Sequence, residues 1–213
     1  MSDLPPTVDD DVDRFGAEEA AARLARRLEQ VPLGHVRLAA SGRELLSPPF
    51  SPDRDRVEGI ASARTTLVVF GAFGTPWSQT LGEVLTAARE RARVAWRHFP
   101  DPGAHPRAAV LALAAEAAAA RGRFWALADA LLETRHDDPA GLDAALVRAG
   151  VDPSQALAAM RAGSGIEWIT DDVASARASG VVAAPALFID GERYHGEVDA
   201  VAVAVALVAA ETS

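Results

Sequence analysis

The sequence predicts an α/β fold. A strand, a helix and a parallel strand come first, a helical block follows, and a hairpin with a last helix closes the chain. Three stretches carry this reading. Residues 66–90, TLVVFGAFGTPWSQTLGEVLTAARE, begin with an apolar run at 67–70, rich in β-branched and aromatic residues, that suits a strand buried on both faces. Two glycines and Pro76 then mark a tight connection into a helix, whose apolar positions Leu81, Val84, Leu85 and Ala88 recur at helical spacing. Residues 93–99, RVAWRHF, alternate as a second strand, and a crossover helix between the two makes the pair parallel. Strand signals return at 186–189, ALFI, followed by the turn pair Asp190-Gly191.

In chain order, residues 1–13 are acidic and read as a disordered or extended arm. Residues 15–30 read as a helix, with Phe15, Leu24 and Leu28 apolar and Pro32 ending it. Residues 35–40 can form a strand. Residues 47–56, with three prolines and mixed charge, read as a surface connection, and 57–64 lead into the first core strand. Helices are expected at 106–121, 123–134, 139–149, 153–162 and 166–179. Asp138-Pro139 and Asp152-Pro153 serve as starts, and Gly122, Gly150, Gly163 and Gly180 as stops. Residues 192–195 return as an antiparallel strand. Residues 198–210 alternate Val and Ala with a period of two, yet their place after a hairpin argues for a helix. Several valines would then point outward, as a dimer surface or a face covered by the N-terminal helix.

Composition narrows the function. With 213 residues, 49% hydrophobic and 24% charged, the chain can bury a full-sized core. A formal net charge of −9 disfavours nonspecific binding to nucleic acid and to anionic membranes, so neither is expected as a partner. The acidic N-terminus has no apolar core of a secretory signal, and no stretch is long and apolar enough to span a bilayer, which together suggest the cytoplasm. Zero cysteines remove disulfides, thiolate nucleophiles and cysteine-based metal sites. The histidines His35, His98, His105, His136 and His195 lack ligand spacing, and no phosphate loop or dinucleotide fingerprint occurs, so no metal and no cofactor are expected. His98, in the second strand, reads as a structural hydrogen-bonding residue.

Three stretches together, TLVVFGAFGTPWS, the run from RVAWRHF into the helical block, and SGVVAAPALFIDGERYHG, resemble the thioredoxin superfamily, and within it the DsbA-like group with its helical insertion. The resemblance implies a thioredoxin fold with an inserted all-helical subdomain. It divides the chain into an extension at 1–56 (arm, helix, edge strand), the first half of the thioredoxin-like domain at 57–104, the insertion at 105–180 and the second half at 181–213. Thr75 stands where that group places its nucleophilic cysteine and Ser78 where it places the resolving one. Pro76 and Trp77 match the dipeptide between them, and Pro185, after Ala184, matches the family's cis-proline. A thiolate at a helix start performs disulfide exchange. Hydroxyls form no reversible redox couple, so the group's ordinary activity is expected to be absent.

What remains is a choice of roles. In one reading the hydroxyls serve as local caps. Alternatively Phe73, Thr75, Pro76, Trp77, Ser78, Ala184 and Pro185 form a surface for a peptide or small ligand, with Trp77 and Phe73 as aromatic anchors. A resemblance to kappa-type glutathione transferases implies a further alternative, in which Thr75 or Ser78 stabilises a bound thiolate. A structural domain without a ligand is the third reading. Nucleophilic catalysis lacks an evident base.

Overall fold

The computed structural model describes residues 8–133 and 139–212. The expectations for residues 1–7, for His136 and for the cap at Asp138 lie outside the described residues. Thirteen elements follow in the order α1 (Val8–Glu29), β1 (Arg56–Gly59), β2 (Thr66–Gly71), α2 (Ser78–Arg89), β3 (Arg93–His98), α3 (Ala108–Ala119), α4 (Phe124–Glu133), α5 (Pro139–Arg148), α6 (Pro153–Arg161), α7 (Ile166–Ala178), β4 (Ala186–Ile189), β5 (Glu192–Arg193) and α8 (Ala200–Glu211). The five strands form one sheet in the order β1-β3-β2-β4-β5. The central pair β2 and β3 is parallel, with Leu67 opposite Val94 and Gly71 opposite His98. β1, β4 and β5 pair antiparallel with their neighbours. This is the thioredoxin-type α/β fold with helices inserted between β3 and β4.

Strand alternation sorts the core into two layers. On one face Leu67, Val69, Val94, Trp96 and Leu187 join residues from α1 to α4 and α8 in one buried cluster. On the other, Val68, Phe70, Ala95, Ala186 and Phe188 pack against Leu46, Val181 and Ala176 of α7. The helical block therefore shares the core of the sheet. Glycine at 71 is required by close approach: a Cβ there would come within 2.3 Å of the Trp96 ring. At Asp190-Gly191 both residues have positive φ, 49° and 85°, as a two-residue hairpin turn demands.

Four expectations change. Residues 8–13 are not an extended arm, because α1 begins at Val8. Residues 35–40 form no strand: Leu38 makes one isolated bridge to Glu44, across a turn closed by Ala39 and Arg43. The edge strand is instead β1, at the end of the expected connection and the start of the lead-in to the first core strand. Its sequence RVEG is too polar and short for hydrophobic alternation to reveal, and it is held by pairing with β3. The N-terminal helix does not cover the outward C-terminal valines. α8 packs on α2 and α1 packs on α6, α3 and α7. Val203 and Leu207 are buried, while Val201, Val205 and Val208 remain exposed. Asp199 starts α8 by accepting from the N–H groups of Val201 and Ala202 at 2.9 and 3.0 Å. Among the described residues no helix is long and apolar enough to cross a membrane.

Candidate functional site

The turn between β2 and α2 is closed by its own polar groups. Helix α2 starts at Ser78, with Trp77 as the flanking residue, so Pro76 lies just before the helix rather than inside it. The Thr75 hydroxyl accepts from the Trp77 N–H at 3.3 Å and donates to the Ala72 carbonyl at 3.4 Å. The Ser78 hydroxyl accepts from the Thr75 N–H at 3.2 Å, and the Ser78 N–H donates to the Thr75 carbonyl at 3.1 Å. Two side chains thus satisfy backbone groups at a helix start, as capping hydroxyls do. No imidazole or carboxylate among the described residues bonds to either hydroxyl, so neither has a base to activate it.

The surface around this turn is uneven. Trp77 is 46% exposed and Pro76 is exposed, whereas Ser78 is buried. Phe73 is not a surface anchor as expected. It is fully buried and stacks on Trp96, with centroids 4.6 Å apart and planes 11° from parallel. Gly71 and Gly74 in the same short turn give the stretch the composition of an exposed loop. The Ala184–Pro185 peptide is cis. Phe70 pairs with Ala186, so one step further along the antiparallel register Pro185 falls opposite Gly71, at the end of the sheet that carries the turn. Ala184 and Pro185 are partly exposed, Val182 and Ala183 fully so.

A second polar constellation escaped the sequence reading. β3 sends Trp96 and His98 to one face and Arg97 to the other. Arg97 is fully buried. Its Nε and Nη2 donate to Asp55 at 2.7 and 3.0 Å, and its Nη1 donates to Ser175 at 2.7 Å and the Pro48 carbonyl at 3.0 Å. On the opposite face His98 lies between Trp96 and Glu116. The Trp96 indole N–H can only donate, so His98 Nδ1, 3.3 Å away, accepts, and Nε2 carries the proton given to Glu116 Oε1 at 3.1 Å. Arg56 binds the same carboxylate with Nε and Nη2 and lies over the Trp168 ring at 3.6 Å. The expected structural role of His98 is thereby filled.

The network sets two carboxyls apart. Burial alone would raise Glu116, but its bonds to His98 and Arg56 outweigh that and hold it below the ordinary carboxyl range. Asp172, on α7, accepts the His98 backbone N–H at 2.8 Å and an Arg54 N–H at 3.3 Å. Burial nevertheless pushes it from 3.8 to about 6. The sequence signal for this network was slight: Asp55, Arg97 and Asp172 stand far apart and resemble ordinary surface charges. Among the described residues, no three metal-ligating side chains come together.

Residues 53–207 match the family model described as thioredoxin. Among curated proteins, the chain is 36% identical over 209 residues to the Na(+)/H(+) antiporter NhaA 3 of Salinispora tropica, covering 94% of this chain and 30% of that protein. It is 38% identical over 176 residues to the Na(+)/H(+) antiporter NhaA 1 of Mycolicibacterium gilvum, covering 79% and 28%. The chain therefore spans less than a third of the length of these curated relatives. Among solved structures it is similar to oxidised BdbD from Bacillus subtilis, with a TM-score of 0.68, 14% identity, and coverage of 79% of this chain and 99% of that one. The thiol-disulfide exchange protein alpha-DsbA2 from Wolbachia pipientis superposes with a TM-score of 0.59 at 12% identity, covering 93% and 97%. At these identities the structural likeness concerns the fold.

Proposed function

Since the chain belongs to the thioredoxin family, in its DsbA-like form but without a single cysteine, we propose that it is a redox-inactive binding domain. Its surface at Thr75–Ser78 and Ala184–Pro185 grips an extended segment of a partner protein. The observation that carries this reading is the state of the turn: both hydroxyls are spent on local backbone groups while Trp77 stays half exposed beside them. Such a surface has an apolar anchor and no reacting atom. The N–H groups of Val182, Ala183 and Ala184 donate to no other described residue, which leaves a short backbone edge for pairing with an extended peptide.

The antiporter relatives suggest the partner class. A stretch like this chain makes up less than a third of those proteins. We take the domain to act on a sodium/proton antiporter, within one chain or between two. The glutathione-dependent alternative is weaker, because a bound thiolate would have to compete for hydroxyls already engaged.

The test is an amide-shift titration of the labelled chain with the Salinispora tropica antiporter, its own similar stretch removed, in lipid nanodiscs. Shifts centred on Thr75, Trp77 and Ala184 that vanish with Trp77→Ala support the reading. Their absence, or a footprint elsewhere, overturns it. Turnover in an insulin-reduction assay would defeat the redox-inactive part, and saturable heat on adding glutathione would favour the transferase alternative.

A further inference from the structure

A cleft of about 610 Å3 opens between α1, α3 and the start of α7, away from the turn at Thr75. Its lining brings together Arg23 and Arg27 from α1, Arg56 from β1, and Glu116, Glu167 and Trp168. Arg56 is paired with Glu116 and held over Trp168, so it forms a fixed, charge-compensated wall. Arg23 spends one N–H on the Arg161 carbonyl at 2.8 Å and keeps its other donors. The Arg27 side chain forms no hydrogen bond or ion pair with a described residue. Against these two stands one further carboxylate, Glu167. A surplus of positive charge therefore collects in a concavity of a chain whose formal net charge is −9. Guanidinium groups at positions i and i+4 share one helix face, where a dianion between them would relieve their mutual repulsion and meet forked donors.

We infer that this cleft binds a small phosphate-class dianion, free or as the head group of a phosphate monoester. Arg23 and Arg27 hold the oxygens, Arg56 supplies the fixed wall, and Glu167 limits affinity by repulsion. The inference does not depend on the reading of the Thr75 turn, and either can fail alone.

The test titrates the full chain with inorganic phosphate and with glycerol 3-phosphate, following calorimetry and the arginine and indole side-chain resonances. Saturable binding is expected, with shifts at Arg23, Arg27 and Trp168. Arg23→Gln and Arg27→Gln should each weaken it about tenfold, and Glu167→Gln should tighten it. Arg26→Gln, next in sequence but outside the cleft lining, should leave it unchanged. Tighter binding of the ester would assign a monoester, and tighter binding of phosphate the free anion. Lack of saturation, or equal weakening by Arg26→Gln and Arg27→Gln, would overturn the site. All these arginines are exposed, so loss of fold does not confuse the result.

Discussion

The turn that opens α2 and the polar network around β3 are built on opposite plans. At the turn, neutral hydroxyls satisfy backbone groups within four residues of chain. In the network, charged groups from the connection before β1, from β1, β3, α3 and α7 meet under cover of the core. The place where related folds keep their reactive group is electrically quiet here. The strongest electrostatics lie one strand away and hold the architecture together. The turn is satisfied by its own hydroxyls, whereas the charges that join distant elements have no local substitute.

The comparison breaks most directly at Arg97. Replacing it with Met leaves Asp55 buried with Arg54 and the Ser51 N–H as its partners and should cost about 3 kcal/mol, read from the denaturation midpoint. The double change Arg97→Met with Asp55→Leu should recover much of that. If the single change is neutral, the network is ornamental.

A pH series probes the same region. Asp172 has its folded value raised, so its contribution is fully present below its unfolded value of 3.8 and is lost as pH rises through about 6. The span amounts to about 3 kcal/mol. Glu116 works in the other sense: lowered in the fold, it stabilises above 4.5 and its contribution fades as pH falls through its folded value. Asp172→Asn should flatten the loss between pH 3.8 and about 6 alone, seen in melting temperature against pH.

At the turn, Thr75→Ala and Ser78→Ala should each cost about 1 kcal/mol in thermal or chemical melts, the ordinary value of a capping bond. A cost as large as that of Arg97→Met would erase the contrast. Trp77→Ala should be the mildest, under about 0.5 kcal/mol of stability, since the side chain is half exposed, while abolishing the antiporter footprint.

The elements set by apolar period were legible from the residues. β2, α2 and β3 follow from runs and spacings visible in the chain, and the helices from Ala108 to Ala178 lie within a residue or two of their expected ends where described. β1 was hidden because an edge strand of RVEG takes its identity from a partner nearly forty residues on. Phe73 was misplaced because glycines beside an aromatic suggest a loop tip, and only the Trp96 ring explains its burial. The network was invisible for the same reason: a lone Arg in a strand looks solvated until its carboxylate, forty-two positions earlier, folds against it. Local chemistry reads from sequence; long-range electrostatic pairing does not.

β3 is bolted on both sides. Arg97 reaches Ser175 of α7, His98 reaches Glu116 of α3, and the His98 amide reaches Asp172 of α7. Helices inserted between two halves of a sheet are natural candidates for swinging as a lid. Here three rivets fix them to a central strand, so amide exchange from β3, α3 and α7 should share one opening energy and the protein should melt in a single step.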